Sequence, residues 1–116
     1  MAANPGFPSS LDVRDWPVLV IGGDDEAADK ILRLLEAGAK VTAISPVLNE
    51  TLRKLAASAK IIHRGRTFRA TDLESVILVL NMVRGDREFS QSLMALAREQ
   101  KFLLWSVDQP GHSNVV

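Results

Sequence analysis

The stretch Val18-Leu19-Val20-Ile21-Gly22-Gly23-Asp24-Asp25-Glu26-Ala27 decides how the rest of the chain is read. Four consecutive apolar residues, three of them β-branched, show no alternation between faces, as expected of a strand buried on both sides of a parallel sheet. Two glycines close the run and acids follow, the local chemistry of a tight turn that delivers the chain into a helix N-terminus. The helix is written in the next residues. Ala27, Ala28, Ile31, Leu32, Leu34 and Leu35 recur at helical spacing, with charged residues between them. Gly38 is placed to end it, because glycine takes the left-handed conformation that such an ending requires.

Outward from this unit the alternation of strand and helix repeats. Val41 to Ile44 reads as a second strand, and Leu48, Leu52, Leu55, Ala56 and Ala59 as the apolar stripe of a second helix. Ile61-Ile62, Val76 to Leu80 and Phe102 to Val107 read as three more strands, and Asp86 to Gln100 as a helix carrying Phe89, Leu93, Leu96 and Ala97. Between Arg64 and Glu74 there is no helix period, which predicts a loop with one helical turn near Asp72. The expectation is an α/β fold: a Rossmann-like, doubly wound parallel sheet of five strands in the order 3-2-1-4-5. Residues 1–10, rich in proline and serine, read as a flexible leader with no secretion signal, and 11–116 as a single domain.

Composition narrows the function classes. With 116 residues, 47% of them apolar, the chain has material for one ordinary core and no apolar run long enough for a bilayer. Fourteen basic residues balance fourteen acidic ones, so no net field draws it to nucleic acid or an anionic membrane. The absence of cysteine excludes disulfides and thiolate chemistry and suits a cytoplasmic compartment. His63 and His112 each lack a second ligand at metal spacing, so no metal site is expected.

In open α/β sheets ligands collect at the carboxyl ends of the strands, where the strand order reverses. The turn Gly22-Gly23-Asp24-Asp25-Glu26-Ala27 resembles the dinucleotide fingerprint, with Gly22 and Ala27 in its outer positions and Asp24 in place of the middle glycine. Two readings of it stay open: a cofactor turn, or a tight turn whose acids serve only the helix dipole. The acid that commonly holds the adenosine ribose at the end of strand two is replaced by Ser45-Pro46-Val47.

Taken together, the segments resemble the precorrin-2 dehydrogenase family, the NAD-dependent module of sirohaem synthases. The resemblance runs from about Phe7 to the end. Its carriers are Phe7-Pro8 with Leu11, Val18 to Gly23, Ala27, Lys30, Leu34 to Thr42 leading to Ser45-Pro46, then Phe68, Asp72-Leu73, and Val107-Asp108 with Pro110 and Ser113. It implies NAD as cofactor, held by Gly22, Gly23, Asp24, Asp25, Glu26, Ala27, Ser45, Pro46, Val47 and Val83, and a precorrin-2-like tetrapyrrole as substrate. It also implies Asp108 as the catalytic acid/base, which bifunctional members further use in iron insertion. The carboxylates fringing such a substrate call for basic groups, and Arg64, Arg66 and Arg84 fall near the ligand edge. Besides Asp24, Val83-Arg84 stands about where the family has Ala-Thr, and Trp105 where it has asparagine. Family members continue into a dimerisation region and a helical domain, so a homodimer is expected of a longer chain.

Two other functions fit parts of the sequence. One is a non-catalytic tetrapyrrole- or nucleotide-binding relative whose turn has abandoned hydride chemistry. The other is a phosphorylatable receiver, suggested by Asp24-Asp25 but opposed by a third strand ending in His63 and a fifth ending in Asp108 rather than a lysine.

Overall fold

The structure is a computed structural model that describes residues 11–107. The expected leader, Asp108 and His112 lie outside the described residues. Strand β1 (Pro17–Ile21) is central, paired in parallel with β2 (Lys40–Ile44) on one side and β4 (Leu78–Asn81) on the other. Strand β3 (Ile62–Arg64) lies outside β2 and β5 (Leu103–Ser106) outside β4, which gives the order 3-2-1-4-5 read from the sequence.

Helices α1 (Asp25–Glu36), α2 (Glu50–Ala57) and α3 (Arg87–Gln100) carry three of the crossovers. The crossover from β3 to β4 has only a 3₁₀ turn, Ala70–Leu73, where a turn near Asp72 was expected. Because the strands alternate faces, two cores form. Val18, Val20, Val41 and Leu80 meet Ala27, Ile31 and Leu52 of α1 and α2 on one face. Leu19, Ile21, Val79 and Leu104 meet Leu93 and Ala97 of α3, with Leu73, on the other. Each fully buried leucine contributes roughly 2 kcal/mol of burial.

Helix α1 ends as its sequence requires. Gly38 is left-handed at φ +87°, its N–H donates to Leu35 O and that of Ala39 to Leu34 O, so two otherwise orphaned carbonyls are satisfied. Two strand boundaries differ from the expectation. The third strand begins at Ile62 and runs to Arg64, because Ile61 turns inward to the α2 core while Ile62 is 60% exposed at the sheet edge. The fourth begins at Leu78, because Ser75 takes a left-handed conformation and Val76 N–H still bonds Leu73 O, keeping Val76 in the turn.

Candidate functional site at the carboxyl edge

The turn after β1 is fixed by close approaches. Gly22 N–H donates to Ile44 O and Met82 N–H to Ile21 O, drawing the tips of β1, β2 and β4 together. At φ +140° Gly22 is in a conformation that other residues rarely adopt, and a Cβ there would lie 2.9 Å from the Met82 Cβ. A Cβ on Gly23 would overlap the Val47 carbonyl oxygen. Both glycines are therefore required by the fold around the turn, before any ligand is considered.

Each of the three acids that follow has a partner. Asp24 caps α1, its Oδ1 accepting from Ala27 N at 2.9 Å. Asp25 Oδ1 accepts from Asn49 Nδ2 at 2.9 Å, and Asn49 in turn caps α2 through Leu52 N. Glu26 receives Arg84 in a two-pronged pair, with Nε and Nη2 donating at 3.0 and 2.8 Å to Oε1 and Nη2 at 2.7 Å to Oε2. Asp24 thus occupies an N–H at the helix terminus that would otherwise point toward a phosphate.

The cleft beside this turn has a volume of about 380 Å³, within the range of small-molecule sites. Of the residues expected at the site, it brings together Gly22, Ser45, Pro46, Val83 and Arg66. Gly23, Asp24, Asp25, Glu26, Ala27 and Val47 surround the turn without lining the cleft, and Arg84 lies with Glu26. Arg64 borders a separate depression of about 260 Å³ with Thr42, Asp72 and Val76.

Sequence reasoning missed Phe68 and Phe89 as cleft residues; their rings meet edge to face at 5.8 Å and form its apolar wall. Asp86, expected at the ligand edge after the fourth strand, does line the cleft and caps α3 there through Phe89 N. Asn81 is fully buried, donates to Ser90 Oγ and accepts from Val83 N at 3.1 Å, which fixes the backbone entering the loop after β4.

Two of the arginines converge on one carboxylate. Arg66 makes a bidentate pair with Asp72 at 2.7 and 2.9 Å, Arg64 adds a bond at 3.0 Å, and Arg69 N–H another at 2.8 Å. The Asp72 side chain is 1% exposed. The Arg66 hydrogen bonds hold its carboxyl well below the usual range, assisted by Arg69 N–H and Arg64 and opposed by burial. On the other side of the sheet, Lys30 Nζ sits 5.1 Å from the centroid of the Trp105 ring.

Among the described residues no helix is long and apolar enough to cross a membrane. A family model described as "Putative NAD(P)-binding" matches residues 10–116. The chain is 34% identical over 104 residues to a siroheme synthase of Methylobacillus flagellatus, covering 90% of this chain and 22% of that protein. It is 37% identical over 91 residues to a siroheme synthase of Neisseria meningitidis, covering 78% and 19%. The chain therefore spans about a fifth of the length of these relatives. The solved structure titled "SirC, precorrin-2 dehydrogenase" superposes with a TM-score of 0.66 at 22% identity over 74% of this chain and 43% of its own, a likeness of fold.

Proposed function

From the premise that the chain belongs to this NAD(P)-binding family, we propose that it is the dinucleotide-binding module of an NAD-dependent precorrin-2 dehydrogenase, oxidising precorrin-2 to sirohydrochlorin on the route to sirohaem. The observation that carries the reading is the cleft where the Gly22 turn, Ser45-Pro46 and Val83 meet at the switch in strand order. Its position at the strand tips and its largely apolar lining suit a dinucleotide laid across it; Gly22 would border the diphosphate, Ser45 and Pro46 the adenosine, and Val83 the nicotinamide. The siroheme synthases and the precorrin-2 dehydrogenase that the chain is similar to support the choice of substrate. A tetrapyrrole substrate, a cytoplasmic setting and a homodimer of the longer protein belong to the same proposal.

Bound there, the nicotinamide supplies a hydride acceptor. The chain's own part is a base for the accompanying proton, which we assign to Asp108. The residue before it, Val107, still donates its N–H to Asn81 O at the tip of β4, two residues from Val83. Arg64, Arg66 and Arg84 are proposed as partners of the substrate carboxylates. Calorimetric titration with NAD tests the binding step, and absence of saturable binding overturns the reading. For the chemistry, Asp108→Asn is expected to abolish formation of reduced nicotinamide in the longer protein while leaving NAD affinity intact; full turnover in that variant removes the assignment.

A second reading is favoured by the Asp24 cap: a relative that binds tetrapyrrole or nucleotide without hydride transfer. Asp24→Gly separates the two, since a large gain in NAD affinity points to a site that has decayed.

A further inference from the structure

Resting on the dinucleotide reading, we propose that Asn81 is a positioning residue for hydride transfer: its side chain holds Val83 against the nicotinamide, and its main chain holds the strand that leads to Asp108. Asn81 ends β4, where the register sets it beside Ile21 of β1 and Ser106 of β5. It is fully buried and does not line the cleft, so it acts on a bound dinucleotide only through its neighbours. Two residues earlier on the same face, Val79 packs with Leu93 of α3. An amide in such an apolar layer is costly unless its hydrogen bonds are made. Here each of those bonds fixes a part of the cleft.

Asn81 Nδ2 donates to Ser90 Oγ at 3.0 Å, which ties it to the first turn of α3 beside the cleft residue Phe89. Its Oδ1 accepts from Val83 N at 3.1 Å, and its main-chain oxygen accepts from Val107 N at 2.9 Å. The backbone N–H of Val83 can only donate, whereas the Ser90 hydroxyl can donate or accept, so Oδ1 must face Val83. The amide therefore has one orientation, and the wall at Val83 stands at a fixed offset from the end of β5. That offset matters to dehydrogenation, in which the hydride goes to the nicotinamide and the proton to the base. A misplacement of about 1 Å between reacting groups can cost about 100-fold in rate.

Asn81→Leu is similar in size and keeps the main-chain bond to Val107, but it removes the hold on Val83. In the longer protein it is expected to lower kcat about 100-fold with KM for NAD within about twofold. On this chain, the emission of bound NADH reports the surroundings of the nicotinamide without turnover, and in Asn81→Leu it is expected to change while affinity is kept. Asn81→Asp restores the acceptor for Val83 N–H, and the Ser90 hydroxyl can turn to donate to it, so this variant is expected to recover both kcat and emission. Should Asn81→Leu fail to fold, Ser90→Ala frees the far end of the amide and is expected to lower kcat about tenfold at unchanged KM. Unchanged kcat or unchanged emission in a folded Asn81→Leu protein, or a loss that Asn81→Asp does not recover, overturns this inference and leaves the dinucleotide reading standing. Failure of the unaltered chain to bind NAD or NADH overturns both.

Discussion

Two segments of the same sheet edge, the Gly22 to Ala27 turn and the Arg64 to Leu73 crossover, solve the problem of unpaired charge in opposite ways. The first gathers three acids and sends each to a different partner: the end of α1, the cap of α2, and Arg84 beyond β4. The second gathers two arginines around one buried carboxylate. Dispersed pairs at the surface are individually weak, whereas a buried charge depends on all of its partners at once. The edge is therefore acidic and tolerant at one end, cationic and brittle at the other.

The sharpest way to break this contrast is Asp72→Ala, which leaves two guanidiniums without their carboxylate. A loss of about 3 kcal/mol in denaturant unfolding is expected; a loss under about 1 kcal/mol would mean that the crossover is held by something else. Gly22→Ala comes next, at about 2 kcal/mol, because a left-handed conformation and the contact with Met82 oppose the added methyl together. Asp24→Ala is expected to cost about 1 kcal/mol, the value of an N-cap, read in the same denaturation experiment. Arg84→Gln removes an exposed pair and is expected to change stability by less than about 1 kcal/mol.

Acid separates the two ends as well. The carboxyl of Asp72 titrates well below its unfolded value, so the unfolded chain binds the proton first and the stabilisation from this group is complete above about pH 4. As pH falls below that range the contribution drains away. The Asp72→Asn protein is expected to lose this part of the acid dependence of its denaturation midpoint, and an unchanged profile would contradict the assignment.

Why one end was legible and the other was not follows from the same difference. The β1 run, the Gly22-Gly23 turn and the Gly38 ending are local chemistry, in which propensity, capping and backbone conformation act over a few neighbouring residues. The strand order followed from the alternation of elements. The Asp72 cluster depends on how a loop without periodicity folds back, so the sequence showed the arginines near the ligand edge but not the carboxylate that clamps them. Glu26 and Arg84, 58 residues apart, were equally invisible as a pair. The β-branched pair Ile61-Ile62 predicts a strand, but Ile61 packs into the α2 core just ahead of β3, and the edge strand that begins at Ile62 leaves that side chain exposed.

The third crossover brings one more consequence. Strand β3 has three residues, all exposed, and among the described residues it has a single strand neighbour and is followed by no helix to cover it. Its amides belong to the part of the sheet expected to open most readily, so in hydrogen exchange they should equilibrate with solvent through local fluctuations well before the centre of β1 does. The wall that carries Arg66 would then soften while the glycine turn opposite stays rigid, making the cleft a vice with one fixed and one yielding jaw.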